Sequence, residues 1–129
     1  MMKNADALLA PLTAEQATRE LLGRHLRSFK ENDLEAIVSD YMEESVLVTQ
    51  KRTYTGIAEI RAFFSNLIVD FPSESTTFDL DILVVYDEVA LIVWHAKTPT
   101  IQVIVGTDTF IVSGNKIKQQ SFVDMMKFV

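Results

Sequence analysis

His25, Asp108 and His95 are the side chains of this 129-residue sequence best suited to moving a proton, because imidazoles and desolvated carboxyls titrate near neutrality. His25 falls between Leu21 and Phe29 and shares a helical arc with Leu22, so its ring is expected to point inward. Two readings follow: a neutral core histidine satisfied by one or two partners, or a pocket donor and general acid/base. Asp108 alternates with Gly106 and Phe110 along a strand. If that face is the inner one, desolvation raises the carboxyl's pKa and makes it a neutral donor. The plainer reading pairs it with a neighbouring Lys, Arg or His. His95 follows Trp94, so the two point to opposite faces, and the inferred register puts His95 on the Asp108 side. Trp94 then reads as a dimer contact rather than a ligand platform. Asp40, Glu43 and Glu44 lie where a helix ends and turns, a common place for solvated acids, and none is read as a base.

Other chemistries lack their residues. Two histidines with scattered carboxylates and no His-x-x-x-His predict no metal. Gly23, Gly56, Gly106 and Gly114 are isolated, so no phosphate loop is expected and no cofactor is predicted. There is no Gly-x-Ser-x-Gly, and Ser121 has no evident histidine partner. The absence of cysteine removes disulfides and thiolates and makes the cytoplasm the default location. Acidic residues outnumber basic ones 18 to 12 with no basic cluster, which argues against nucleic acid and anionic membrane as partners. Apolar runs such as Val89–Trp94 are too short to span a bilayer.

The elements that must position these groups follow from periodicity. Thr13 and Gln16 form a capping-box pattern, after which Leu21, Leu22, Leu26 and Phe29 recur at helical spacing through Lys30. Asp33 caps a shorter helix carrying Leu34, Ile37, Val38 and Tyr41. Ser45–Gln50 reads as a strand, Lys51-Arg52 as a turn, and Ile57, Ile60, Phe63, Phe64 and Leu67 as the apolar face of a third helix closed by Pro72. From Thr76 the period falls to two, and turns at Asp87-Glu88, Pro99-Thr100 and Ser113-Gly114-Asn115 predict strands Thr76–Tyr86, Val89–Thr98, Ile101–Val112 and Lys116–Phe122. Met1–Leu12 reads as a loose N-terminal arm.

Strict alternation groups Phe78, Leu80, Ile82, Val84, Leu91, Val93, His95, Ile104, Gly106, Asp108 and Phe110 on one face. The other face holds Ala90, Ile92, Trp94, Ala96, Val103, Val105 and Ile111. Both are apolar. One meets the helices, and a second copy packed sheet to sheet is the simplest cover for the other.

Three segments carry a resemblance: Asn32-Asp33-Leu34-Glu35-Ala36-Ile37 before Tyr41, Tyr54 to Phe64 with its Gly56-x-x-x-Ile60-Arg61-x-Phe63-Phe64, and Asp108-Thr109-Phe110 ahead of Gly114-Asn115-Lys116-Ile117. With the order helix, helix, strand, helix and four-stranded meander, the chain resembles the nuclear transport factor 2-like superfamily, which includes SnoaL-like cyclases and ketosteroid isomerases. The resemblance implies an α+β fold, a cone-shaped half-barrel in which three helices pack on a curved, mostly antiparallel sheet around a pocket. It implies one domain over 1–129, residues 1–12 as an arm and 13–129 as the SnoaL-like domain, and a homodimer through the outer sheet face. It places His25 at the isomerases' oxyanion-stabilising tyrosine and Asp108 at their second donor. Thr49 stands where the proton-shuttling carboxylate would be, so the isomerase mechanism does not carry over. Thr49, Tyr54, Phe64 and His95 are expected around the ligand. The implied role is binding of an apolar small molecule, with isomerase, cyclase or dehydratase action on a carbonyl compound. The alternative is a non-enzymatic dimeric association module.

Overall fold

Thr13 begins the first helix as expected: its hydroxyl accepts the Gln16 amide while the Gln16 side chain accepts the Thr13 amide. In the computed structural model, which describes residues 11–129, this helix α1 runs Ala14–Lys30. All but Pro11 and Leu12 of the expected N-terminal arm lies outside the described residues. Thr18, Leu21, Leu22, His25 and Ser28 recur every three or four residues and form the buried stripe of α1. Asn32, in the left-handed region at φ 56°, turns the chain into α2 (Leu34–Val38), capped by the Asp33 carboxylate.

The rest follows as β1 (Tyr41–Thr49), β2 (Thr53–Thr55), α3 (Gly56–Asp70), β3 (Thr77–Tyr86), β4 (Val89–Lys97), β5 (Ile101–Ser113) and β6 (Lys116–Phe128). Gly56 enters α3 at φ +85°, a conformation that penalises any side chain. Ile60 and Phe64 then face inward, with Phe63, Leu67 and Ile68 half-buried beside them. The strands form one sheet in the order β2-β1-β6-β5-β4-β3, which does not close. Every pairing is antiparallel except β1 with β6. Among the described residues, three helices on a curved, unclosed sheet make the expected α+β architecture. Fully buried Leu21, Ile37, Leu47, Ile60 and Ile92 anchor the core between the layers, each stabilising the fold by about 1.5–3 kcal/mol.

Several local expectations shift. Tyr41 belongs to β1, not to α2: α2 ends at Val38 with Ser39 as its cap, and the Asp40 carbonyl accepts the Ile117 amide, which ties the segment to β6. β2 is an added short strand, and β6 continues six residues past the expected end at Phe122. The larger correction concerns faces. β3 carries an extra residue at Asp81 and β5 one at Ile104, and each bulge reverses the alternation beyond it. Phe78 therefore shares the inner face with Trp94, Gly106 and Asp108. Ile82, Val84, Leu91, Val93 and His95 lie outside.

Candidate active site

Asp108 sits on β5 opposite Ile92 and Phe122, on the face covered by α1 and α3, and is 8% exposed. Trp94 Nε1 donates to its Oδ2 at 2.8 Å, and Gln120 Nε2 donates to its Oδ1 at 2.8 Å. Burial raises the carboxyl's pKa to about 6 against the pull of those two bonds and of His25. Each oxygen gives one lone pair to a donor, so a proton on either can still be directed into the cavity.

Gly106 makes the Trp94 contact possible. The two residues pair across β4 and β5, and a Cβ on Gly106 would lie 2.3 Å from the indole ring. The indole lies flat over that bare backbone. It stacks on Phe78 at 5.1 Å and on Phe122 at 6.1 Å. The corrected register thus turns Trp94, expected as a dimer contact, into a cavity wall.

His25, 3% exposed, meets this arrangement from α1. Its Nδ1 is 2.9 Å from Asp40 Oδ2, and Arg24 Nε donates to Asp40 Oδ1 at 3.0 Å. Asp40 is therefore a 1%-exposed anion held between two partners from one turn of α1, not a solvated acid. The inward pattern of α1 offered a hint: an interior imidazole requires a partner, and the α2–β1 junction was the place to seek it. His25 Nε2 approaches the Tyr41 hydroxyl at 3.3 Å, and that hydroxyl donates to Gln120 Oε1. Burial, followed by the Asp108 and Asp40 charges, pushes the Tyr41 phenol well above its ordinary range, which keeps it a neutral donor. A continuous chain of polar contacts runs Arg24–Asp40–His25–Tyr41–Gln120–Asp108–Trp94.

His25, Asp108 and Gln120 line a cavity of about 50 Å³ whose remaining wall is apolar, built mainly from Phe29, Phe63, Phe64, Phe71, Phe110 and Trp94. Of the residues expected around a ligand, the structure brings Phe64 to this wall. It does not bring Thr49, Tyr54 or His95 there. Thr49 closes the β1–β2 turn with its hydroxyl on the Arg52 carbonyl. Tyr54 packs on Phe63 at 4.9 Å behind the wall, under the Arg52 guanidinium. His95 stands on the outer face between Asp81, 2.7 Å from Nδ1, and Asp79, 3.2 Å from Nε2; the Asp81 hydrogen bond raises its pKa. The Ile104 bulge, which carries Asp108 to the Trp94 face of the sheet, leaves His95 on the opposite one. Among the described residues no three His, Asp or Glu side chains converge on a point fit for a metal ion.

With the fold and this cavity in place, solved structures offer comparisons. One is an epoxide hydrolase/cyclase-like enzyme, SalBIII, described in pyran ring formation in the polyether salinomycin, with TM-score 0.75, 18% identity and coverage of 89% of this chain and 98% of that one. Another is an NTF2-like protein of unknown function from Mesorhizobium loti, with TM-score 0.74, 20% identity and coverage of 90% and 97%. A third is a provisionally assigned ketosteroid isomerase from Kribbella flavida, with TM-score 0.74, 14% identity and coverage of 89% and 82%. The chain has the fold of the nuclear transport factor 2-like superfamily. No family model and no curated protein matches its sequence. Among the described residues no helix is long and apolar enough to cross a membrane.

Proposed function

We propose that the chain is a small-molecule enzyme that moves protons on an apolar carbonyl compound, with Asp108 as acid and His25 as base. The observation that carries this reading is the polar chain itself, which ends in a buried carboxyl of pKa about 6 on an otherwise aromatic wall. Asp108 in its protonated form donates to the substrate oxygen as negative charge develops there. Asp40 holds the Nδ1 proton of His25 and so presents Nε2 as the basic nitrogen. Because the one Tyr41 hydroxyl proton goes to Gln120, the Nε2 contact to Tyr41 holds no hydrogen in this tautomer, which leaves the Nε2 lone pair free to take a substrate proton. His25 backed by Asp40 thus fills the role left empty at Thr49. Isomerisation, cyclisation and dehydration all need such an acid and base, and the SalBIII comparison favours chemistry of this kind.

Deuterium exchange into the α-positions of cyclohexanone and 1-indanone, followed by proton NMR, tests the pair without knowledge of the natural substrate. The wild-type chain is expected to accelerate exchange, and His25→Ala and Asp108→Asn each to lower it by roughly 10²-fold or more. Equal exchange in all three proteins would remove both residues from the reaction.

A second reading rests on a separate observation. Ile82, Val84, Leu91, Ile104, Ile111, Val123 and Met125 leave a large apolar area exposed on the outer sheet face. That area favours a homodimer packed sheet to sheet. Dimerisation is compatible with catalysis and would be the whole function only if the cavity binds nothing.

A further inference from the structure

The cavity is small for its lining. About 50 Å³ is less than the ~150 Å³ in which an engineered apolar cavity holds benzene. A second hollow of about 360 Å³ adjoins it, and Phe29, Phe71 and Phe78 form walls of both. Together the two reach the ~300–1,000 Å³ of ordinary small-molecule sites, which the inner chamber alone does not. The outer hollow differs chemically from the inner one. Lys30, Ser73 and Thr76 contribute to its lining.

One of these polar groups lacks an ordinary structural explanation. Thr76 Oγ1 is buried with no hydrogen-bond partner among the described residues, a state that costs roughly 1–3 kcal/mol when left unmet. Lys30 Nζ lies 5.2 Å from the centroid of Phe78. A lysine in the last turn of a helix is favourable against the dipole. Cation–π attraction to Phe78 accounts for its position over the ring that separates the chambers, but neither effect accounts for the orphan hydroxyl in the same hollow. Asn32 sets the rim in place: its Nδ2 donates to the Phe71 carbonyl at 2.9 Å, and its Oδ1 accepts the Ser73 amide at 2.7 Å. Lys30 therefore faces a rim held in register, not a loose loop.

We propose that the ligand is an amphiphile whose apolar body enters between Phe29, Phe71 and Phe78 and whose carboxylate occupies the outer hollow, bound by Lys30 and, as its entry uncovers that oxygen, by the Thr76 hydroxyl. This rests on the reading of the inner cavity as a binding site and names the substrate class it takes. The ammonium supplies charge and the hydroxyl a neutral hydrogen bond. The carbonyl to be activated lies on the body, within reach of Asp108. Exposed Glu31 and Glu74 flank the rim in sequence, so Lys30 selects by contact and not through a broad positive field.

Trp94 is the single tryptophan and forms part of the inner wall, so its fluorescence reports occupancy. Titration with 3-phenylpropanoate and 5-phenylpentanoate is compared with titration by the matching alcohols and amines, for wild type, Lys30→Met and Thr76→Val. At least one carboxylate is expected to bind about tenfold or more tighter than its alcohol. Lys30→Met, which keeps the unbranched stem on Phe78, removes that preference and leaves the alcohol's affinity unchanged. Thr76→Val weakens the carboxylate several-fold. Carboxylate and alcohol binding equally to wild type, or a preference that survives Lys30→Met, overturns the proposed headgroup and leaves the cavity reading intact. If no probe perturbs Trp94 up to millimolar concentration, the cavity reading falls with it.

Discussion

Asp40 shows how much one side chain carries here. Removing its charge leaves Arg24 and His25 without the anion that orients both, and a broken buried ion pair costs about 3–5 kcal/mol. Because Arg24 is partly solvated, Asp40→Asn is expected near the lower end, roughly 3 kcal/mol by urea denaturation. Loss of the Nδ1 partner also frees the imidazole to take the other tautomer, so ketone exchange falls with it. Asp108 has a separate signature in pH. Its folded pKa of about 6 lies above the ordinary aspartate value of 3.8, so between those values the folded state binds more protons than the unfolded one. Stability from this group is therefore greatest below about pH 4, declines as pH rises through about 6, and is then flat. Asp108→Asn removes that decline. The expected outcome is a wild-type-minus-variant difference that becomes unfavourable by up to about 3 kcal/mol from pH 4 to pH 7, measured by denaturation at each pH. Parallel profiles would show that Asp108 is not the buried acid described. The donor role adds a second expectation: exchange activity falls above about pH 6 as Asp108 ionises.

At the scale of elements, the β4–β5 pair is where sheet geometry makes the site. The bare backbone of Gly106 lets the Trp94 ring lie across it, and Gly106→Ala would push a methyl into the indole. Overpacking of this kind costs about 1–3 kcal/mol. The expected result is a lower Tm together with a red-shifted Trp94 emission as the ring leaves the wall; unchanged emission would mean that β4 and β5 adjust without moving it. Helix boundaries were largely legible in the sequence because caps and 3.6-residue periodicity are local signals, as Thr13, Asp33 and Gly56 show. The bulges at Asp81 and Ile104 were not. Nothing in either residue type demands an extra position, yet each bulge exchanges the faces of the strand beyond it: the one at Ile104 put Trp94 rather than His95 on the Asp108 face, and the one at Asp81 brought Phe78 to that face.

For the whole molecule, the exposed outer sheet face is the basis of the proposed dimer. Ile82 is 51% exposed and Met125 62%, and the stripe between them runs across β3 to β6, too broad for scattered surface residues. A dimer is the expected state in sedimentation equilibrium at micromolar concentration. Leu91→Arg, near the middle of the stripe, is expected to shift the chain to monomer by at least tenfold in dissociation constant, because it buries an unpaired charge in the interface. A wild-type monomer at those concentrations would exclude the sheet-to-sheet dimer. His95 with Asp79 and Asp81 lies on the same face, and a dimer formed there would carry that charged cluster at or beside its interface.

Composition, helix caps and the change of period from 3.6 to 2 determined the α+β class, the order of most elements, the inward aim of His25 and the candidacy of Asp108. These are properties of a residue and its near neighbours in the chain. The partners of those two residues were decided only in three dimensions. Asp40 reaches His25 across 15 positions, Gln120 reaches Asp108 across 12, and Tyr41 meets Gln120 across 79. Such pairings depend on strand register and helix docking, which the burial of the whole core sets and no local pattern encodes. The chain of polar contacts is thus a product of packing, built from residues that the sequence alone left as a core histidine, a strand aspartate and a turn acid.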